Sequence, residues 1–330
     1  SMVRTGSHAF IHYGKEGTFN GGALETRAFG LEQKMNSLTF KNNQIALSQL
    51  NSIEVASFAY GKNEGSGSVD FVLSNPWVFD TLLGAVDKTG STNDWTYIWD
   101  SDAGNLTADN TGIKTPDSFD IEVAFDAKSS LTDVKRNLHG SVFNQLNIKS
   151  SIGETVKGTL DFLYGKSDTI TTDVSGSIIG DGIDFPYTFA HASIELLDGT
   201  PIAEVQDFDI TFAANTELLY AQGDPNAVGA FRKLFEMTGK FNASFLDKTQ
   251  LQRVIDRTEL ATFTVEFTNG LSSTSEKTIK LEFTGVSLSE HGLSIAPNEP
   301  IFEDLTFQMR NVKVTANNSV TKTVTSGNLV

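Results

Sequence analysis

Apolar and polar residues alternate at every second position through much of the chain. FDIEVAF (Phe119–Phe125) and TFTVEF (Thr262–Phe267) carry the pattern most clearly, and FDITF (Phe208–Phe212), LTF (Leu38–Phe40), TLDFLY (Thr159–Tyr164) and LTFQM (Leu305–Met309) repeat it. A period of two in β-branched and aromatic runs predicts strands with one buried face. Helical signals are few. SNPWVFDTLLGAV (Ser74–Val86) offers Asn75 as a cap, Pro76 in the first turn and an apolar stripe through Phe79 and Leu83. LDKTQLQRVID (Leu246–Asp256) offers Asp247 as a cap and Leu251, Val254 and Ile255 as a stripe. The expected class is mainly β with two short helices.

The chain also repeats itself. At an offset of 172 residues, Leu38-Thr39-Phe40 falls on Ile210-Thr211-Phe212, Asn43 on Asn215, Gly67 on Gly239, Asn75 on Asp247 and Leu83 on Ile255. Beyond the helices the offset drops to 144 or 145, placing Phe119 on Phe263, Glu122 on Glu266, Gly140 on Gly285, Leu160 on Leu305 and Phe162 on Phe307. The difference sizes an insertion in the first half at about 87–116, whose Asp, Asn, Thr and Gly content reads as a long surface loop. Two tandem modules follow, 1–166 and 183–330, joined by a linker at 167–182. The first begins with a Gly-rich arm at 1–25, and the second ends in a polar tail. Residues 44–66 and 216–238 form equivalent long connections between the first two strands of each module.

Charge narrows the role. The 330 residues hold 25 Lys and Arg against 41 Asp and Glu, a formal net charge of −16, which opposes binding to phosphate backbones and anionic lipid. No apolar run approaches the roughly 20 residues of a membrane span, and SMVRTGSHAF has no hydrophobic core of signal-peptide type. Zero Cys excludes a disulfide scaffold, thiolate metal sites and cysteine catalysis.

Chemistry-bearing motifs are missing. There is no nucleophile elbow, phosphate-binding loop or dinucleotide fingerprint. His8 and His12 alone have ligand-like spacing, but no helical pattern holds them. Asp100-Ser-Asp102-Ala-Gly104 lacks the later bidentate Glu of a calcium loop and reads as a solvated turn. Paired carboxylates such as Asp120/Glu122 and Asp207/Asp209 lie two apart on strands and so share an outward polar face. The expectation is no enzyme, no metal and no cofactor. The run DWTYIWD (Asp94–Asp100), inside the predicted loop, could cap its own domain, meet a neighbouring subunit or stack on sugars. Candidate subunit or ring contacts are therefore Trp95, Tyr97 and Trp99, together with Leu50, Tyr60, Tyr220 and Phe231 in the two long connections.

SLTFKNN (Ser37–Asn43), GSGSVDFVLSNPWVFDTLLGAV (Gly65–Val86), SFDIEVAFD, and in the second half TFAHASIELLDGTPIAEVQDFDITFAANTELLYAQGD (Thr188–Asp224) and FNASFLDKTQLQRVI carry a family resemblance. Across nearly its whole length the chain resembles the tail tube proteins of tailed phages and archaeal tailed viruses. The resemblance implies two tube-type β-sandwich modules, each with one helix outside a sheet that lines a lumen. Since single-domain tubes build hexameric rings, a duplicated chain implies stacked homotrimeric, pseudo-hexameric rings. It also implies a virion tail component assembled in the host cytoplasm, with tape-measure, tail terminator and baseplate proteins as partners. DNA would pass without specific binding during genome ejection. Strand alternation nominates Asp120, Glu122, Asp161, Asp207, Asp209 and Glu266 as lumen-facing carboxylates. A carbohydrate-binding β-sandwich using Trp95, Tyr97 and Trp99, and another virion part such as a tail terminator or baseplate protein, remain alternatives.

Overall fold

The computed structural model describes residues 9–23, 27–50, 53–91, 94–102, 116–125, 134–168, 186–196, 205–271, 276–318, 324–325 and 328–329. In the first half the strands are β1 (Ala9–Lys15), β2 (Leu31–Lys41), β3 (Ile45–Ser48), β4 (Val55–Ala59), β5 (Glu64–Val72), β6 (Val86–Ser91), β7 (Asp94–Asp100), β8 (Phe119–Phe125), β9 (Val134–Ser151), β10 (Lys157–Tyr164) and β11 (Lys166–Ser167), with helix α1 (Val78–Leu83). In the second half they are β12 (Ala192–Leu196), β13 (Val205–Ala213), β14 (Thr216–Tyr220), β15 (Ala227–Arg232), β16 (Glu236–Ser244), β17 (Glu259–Thr268), β18 (Thr278–Ser294), β19 (Phe302–Met309) and β20 (Asn311–Asn318), with helix α2 (Thr249–Asp256). The protein is mainly β, as the alternation predicts, and its strand pairs are antiparallel.

One sheet runs through both halves in the order β2-β5-β10-β9-β13-β16-β19-β18. Its two quartets have the same construction. Leu38 faces Gly67 and Ile210 faces Gly239; Leu160 faces Leu146 and Leu305 faces His291. Even the register breaks coincide, between Asp161/Phe162 and their partners in β9 and between Thr306/Phe307 and theirs in β18. A one-residue slip would turn every core side chain outward, so this agreement fixes the same faces inward in both halves.

β9 and β18 are long because each serves two layers. The N-terminal part of β9 pairs with β8, and its C-terminal part with β10 and β13. The strand changes layer at Gly140, with φ +61°, and β18 does so at Gly285, with φ +62°. Left-handed backbone at a strand bend is the setting in which glycine carries no steric penalty. The outer layers are β1-β8-β9 in the first half and β12-β17-β18-β20 in the second. Between layers the alternating aromatics meet: Phe263 of β17 lies 5.8 Å from Phe241 and 4.9 Å from Phe307, ring centre to ring centre. Each such pair contributes about 0.5–1.5 kcal/mol beyond burial. In this outer layer Ile121 and Phe263 occupy matching positions, opposite Leu138 and Phe283. The sequence alignment paired Phe119 with Phe263 instead, two residues away and on the same face.

Two expectations change. The predicted loop at about 87–116 is, through Asp100, a β6–β7 hairpin, and β7 pairs with β20 of the second half from Lys313↔Asp100 to Asn318↔Trp95. Residues 103–115 lie outside the described residues, as does most of the 167–182 linker. The predicted helix caps act slightly outside the helices. Asn75 Oδ1 accepts from the Trp77 amide at 3.1 Å and Asp247 Oδ1 from the Thr249 amide at 2.7 Å, so each turns the chain into its helix.

Candidate functional site

The joint between the halves defines the surfaces that matter. β13 adds to the edge of β9 from Asp207↔Ser151 to Ala213↔Gln145. The β14–β15 hairpin then folds back over the first half. Thr216 donates its amide to Asn144 Oδ1 (2.8 Å) and its hydroxyl to the Phe143 carbonyl (3.0 Å). Tyr220 donates to the Asn63 carbonyl at 2.6 Å, and the Asn63 amide donates to the Pro225 carbonyl at 2.7 Å. Lys62 lies 4.8 Å from the centre of the Tyr220 ring.

Arg232 is a further anchor of the hairpin. Its guanidinium is buried and donates to the Thr81 and Leu82 carbonyls at the C-terminal end of α1. Those carbonyls have no onward helix to bond, and a cation there also meets the negative end of the helix dipole. Burial lowers the Arg232 pKa to about 10, still cationic at neutral pH. α1 is consequently enclosed: every residue from Val78 to Leu83 is buried. Asp80 within it accepts from Arg27 at 2.7 Å and from the Trp99 indole at 3.3 Å.

The other two ends are open. Among the described residues, β2 pairs on one side only, with β5, and Leu288–Ser294 of β18 pairs on one side only, with β19. Helix α2 has no buried residue. The β3–β4 hairpin exposes Ile45, Leu47, Leu50, Ile53, Val55, Phe58 and Tyr60. Its neck nonetheless matches that of β14–β15. Asn43 (φ +46°) donates to the Lys62 carbonyl and to Glu64, and Asn215 (φ +48°) donates to the Leu234 carbonyl and to Glu236. Both hairpins share one register and one bulge, Ile45↔Ala59 matching Glu217↔Phe231.

The eight-stranded sheet has a core face and an open face. Alternation places Asp70, Asp161, Asp207, Asp209, Asp304 and Glu290 on the open face, with Lys34, Lys149, Lys157 and Lys240 interleaved. Three of the six nominated carboxylates, Asp161, Asp207 and Asp209, therefore share this face. Burial, followed by the neighbouring Asp304 carboxylate, raises the Asp207 pKa. Glu266 lies on β17 in the outer layer, opposite Ser193 and Lys280.

Asp120 and Glu122 are corrected more sharply, since both are buried. β8 is covered on both faces, so alternation there does not separate core from solvent. Glu122 is ion-paired with Lys135. Asp120 lies 3.2 Å from His139 Nδ1, while Asp168 lies 2.7 Å from Nε2. Glu16 accepts the Gly140 amide at 3.1 Å and stands 3.8 Å from the same imidazole. Asp120 first, then Glu16, push the His139 pKa up to about 10, against the opposing effect of burial.

Tyr97 and Trp99 are core residues of β7, and Lys88 stands 3.9 Å over the half-buried Trp95 ring. The calcium-like turn closes on itself, Asp100 Oδ1 accepting the Asp102 amide at 2.8 Å. Among the described residues no group of three His, Asp or Glu could hold a metal, and no helix is long and apolar enough to cross a membrane. The features not anticipated from the sequence are the enclosed α1 and, among the described residues, the two free ends of the β2-to-β18 layer. Residues 6–309 match a protein family described as phage tail tube protein. No curated protein matches the chain.

Proposed function

The chain belongs to the phage tail tube protein family, a structural component of a virion tail, and from that membership we propose that three copies close a pseudo-sixfold ring by repeating between chains the sheet joint made within each one. The observation that carries this reading is the equivalence of the β9–β13 joint with the two free edges. Carrying the internal register across by the repeat offsets puts Leu293 opposite Leu38 and His291 opposite Phe40 of the next copy. Two modules per chain, internally duplicated, then give three chains for six positions. Isolated exposed edges invite pairing, and a head-to-tail joint closes when its rotation divides the circle.

In such a ring the open face of the eight-stranded sheet lines the lumen. Asp161, Asp207 and Asp209 are the carboxylates of the original six that stand on it. Interleaved lysines moderate the field, so phosphate is repelled on average without a continuous cationic track that would retain DNA. Stacked rings ending at terminator, tape-measure and baseplate proteins complete the tail. Electron microscopy of the purified chain across concentration tests the reading. Rings or tubes with threefold symmetry support it; a ring with any other chain number contradicts it.

A further inference from the structure

The β14–β15 hairpin has a seat within the chain, whereas β3–β4, built on the same asparagine neck and in the same register, has none among the described residues. The seat of β14–β15 is the first half's α1 end, the β9 bulge at Asn144, and Lys62-Asn63. At the repeat offsets its counterparts in the second half are the α2 end, Ser289, and Leu234-Phe235. We propose that the β3–β4 hairpin of one copy seats on this α2 surface of a second copy. The inference rests on the ring reading above and names the clasp that would hold each ring joint.

The residues have changed in step. Inside the chain, polar pairs hold the joint: Lys62 on Tyr220, and Asn63 on Pro225 and Asn226. At the open ends Leu234 and Phe235 stand in place of Lys62 and Asn63, Leu234 facing the position of Ser48 and Phe235 facing those of Ile53 and Glu54. Leu234 is 69% exposed, Ile255 62%, Phe58 55% and Tyr60 70%. Such apolar side chains on both members fit a contact that forms by excluding water.

The helix ends explain the largest exchange. Arg232 serves α1 carbonyls, and its counterpart is Tyr60. In α2 the equivalent carbonyls of Arg253 and Val254 already accept the Thr258 (3.0 Å) and Arg257 (3.3 Å) amides. That end needs no cation, so an aromatic ring can cover it.

The chain has no native Cys, so an engineered pair reports one contact. I53C/F235C, at positions equivalent to the touching Pro225 and Asn63, should oxidise to a covalent product of three chains. S48C/L234C with a short bis-maleimide checks the same contact at two exposed positions if Phe235→Cys weakens folding. F58D should abolish both products while leaving thermal unfolding of the single chain unchanged. The pair T39C/G292C reads the sheet edges independently. Three-chain products at the edges with none at the hairpin would overturn the clasp and leave the ring reading intact. Hairpin ladders longer than three chains would overturn the clasp, because the hairpin would then join different rings. A single-chain band from every pair would overturn both.

Discussion

Helices α1 and α2 occupy equivalent places in the two halves and meet opposite surroundings. α1 is fully enclosed, with a buried Arg27–Asp80 pair and Arg232 on its last carbonyls. α2 has no buried residue, and the side chain of Gln252, the counterpart of Asp80, donates to its own helix neighbour Asp256 at 2.9 Å. The two hairpins differ in the same way. One local construction is thus closed where the two halves meet and, among the described residues, open at the outer ends. The difference marks the surfaces to which the proposed ring assigns contacts between copies.

The sharpest way to break the comparison is at the helices. Asp80→Ala leaves Arg27 buried without its carboxylate and is expected to cost about 3–5 kcal/mol. Gln252→Ala at the equivalent exposed position should change single-chain stability by less than about 0.5 kcal/mol. Chemical denaturation of both variants checks the contrast. Next come the hairpins. Arg232→Ala removes charged hydrogen bonds to the α1 end and should cost about 1.5–3 kcal/mol. Tyr60→Ala should leave unfolding nearly unchanged and lower assembly, read by sedimentation.

pH sharpens the comparison further, because only the first half has the His139 cluster; Thr284 stands at the equivalent place. The folded-state pKa of His139 is raised, to about 10, above its ordinary value of 6.5. Its stabilisation is therefore complete below about pH 6.5 and disappears as pH rises through about 10. The wild-type midpoint of unfolding should fall across that window, and His139→Asn should remove this part of the slope. The smallest effect is at Asp207, whose pKa is raised by burial and by Asp304. A raised carboxylate pKa means stability declines as pH rises through it. Asp207→Asn should therefore be neutral or slightly stabilising at pH 7, within about 0.5 kcal/mol, with no gain at pH 3.

Much of the fold was legible in the sequence because backbone-determining residues recur. Asn43 and Asn215 set the hairpin necks, Gly140 and Gly285 set the layer changes, and Asn75 and Asp247 open the helices. DWTYIWD was misread as a loop although Trp95, Tyr97 and Trp99 alternate with Thr96 and Ile98. The surrounding polar residues outweighed that period, and no local pattern announces pairing with a strand more than two hundred residues away. Asp120 and Glu122 were misplaced because period two assumes one wet face. β8 is covered on both, and its charges are matched by His139 and Lys135. Leu50 and Tyr60 were nominated as contacts from the length of their connection alone, and they stand exposed on the unseated hairpin. Tyr220 already has its partner within the chain at Asn63, and Phe231 is half-buried in the seated hairpin.

In the proposed ring the free edges of β2 and β18 pair between copies as β13 and β9 pair within one. The internal register sets Thr211 opposite Asn147, so Thr39 and Gly292 should be opposite each other. Gly292 has room for a side chain, the nearest atom to an added Cβ being the Asp304 Cβ at 3.6 Å. Oxidation of T39C/G292C in assembled material is expected to yield a covalent product that stops at three chains. A product that ladders without limit, or assemblies that form with no cross-link at these positions, would contradict the account.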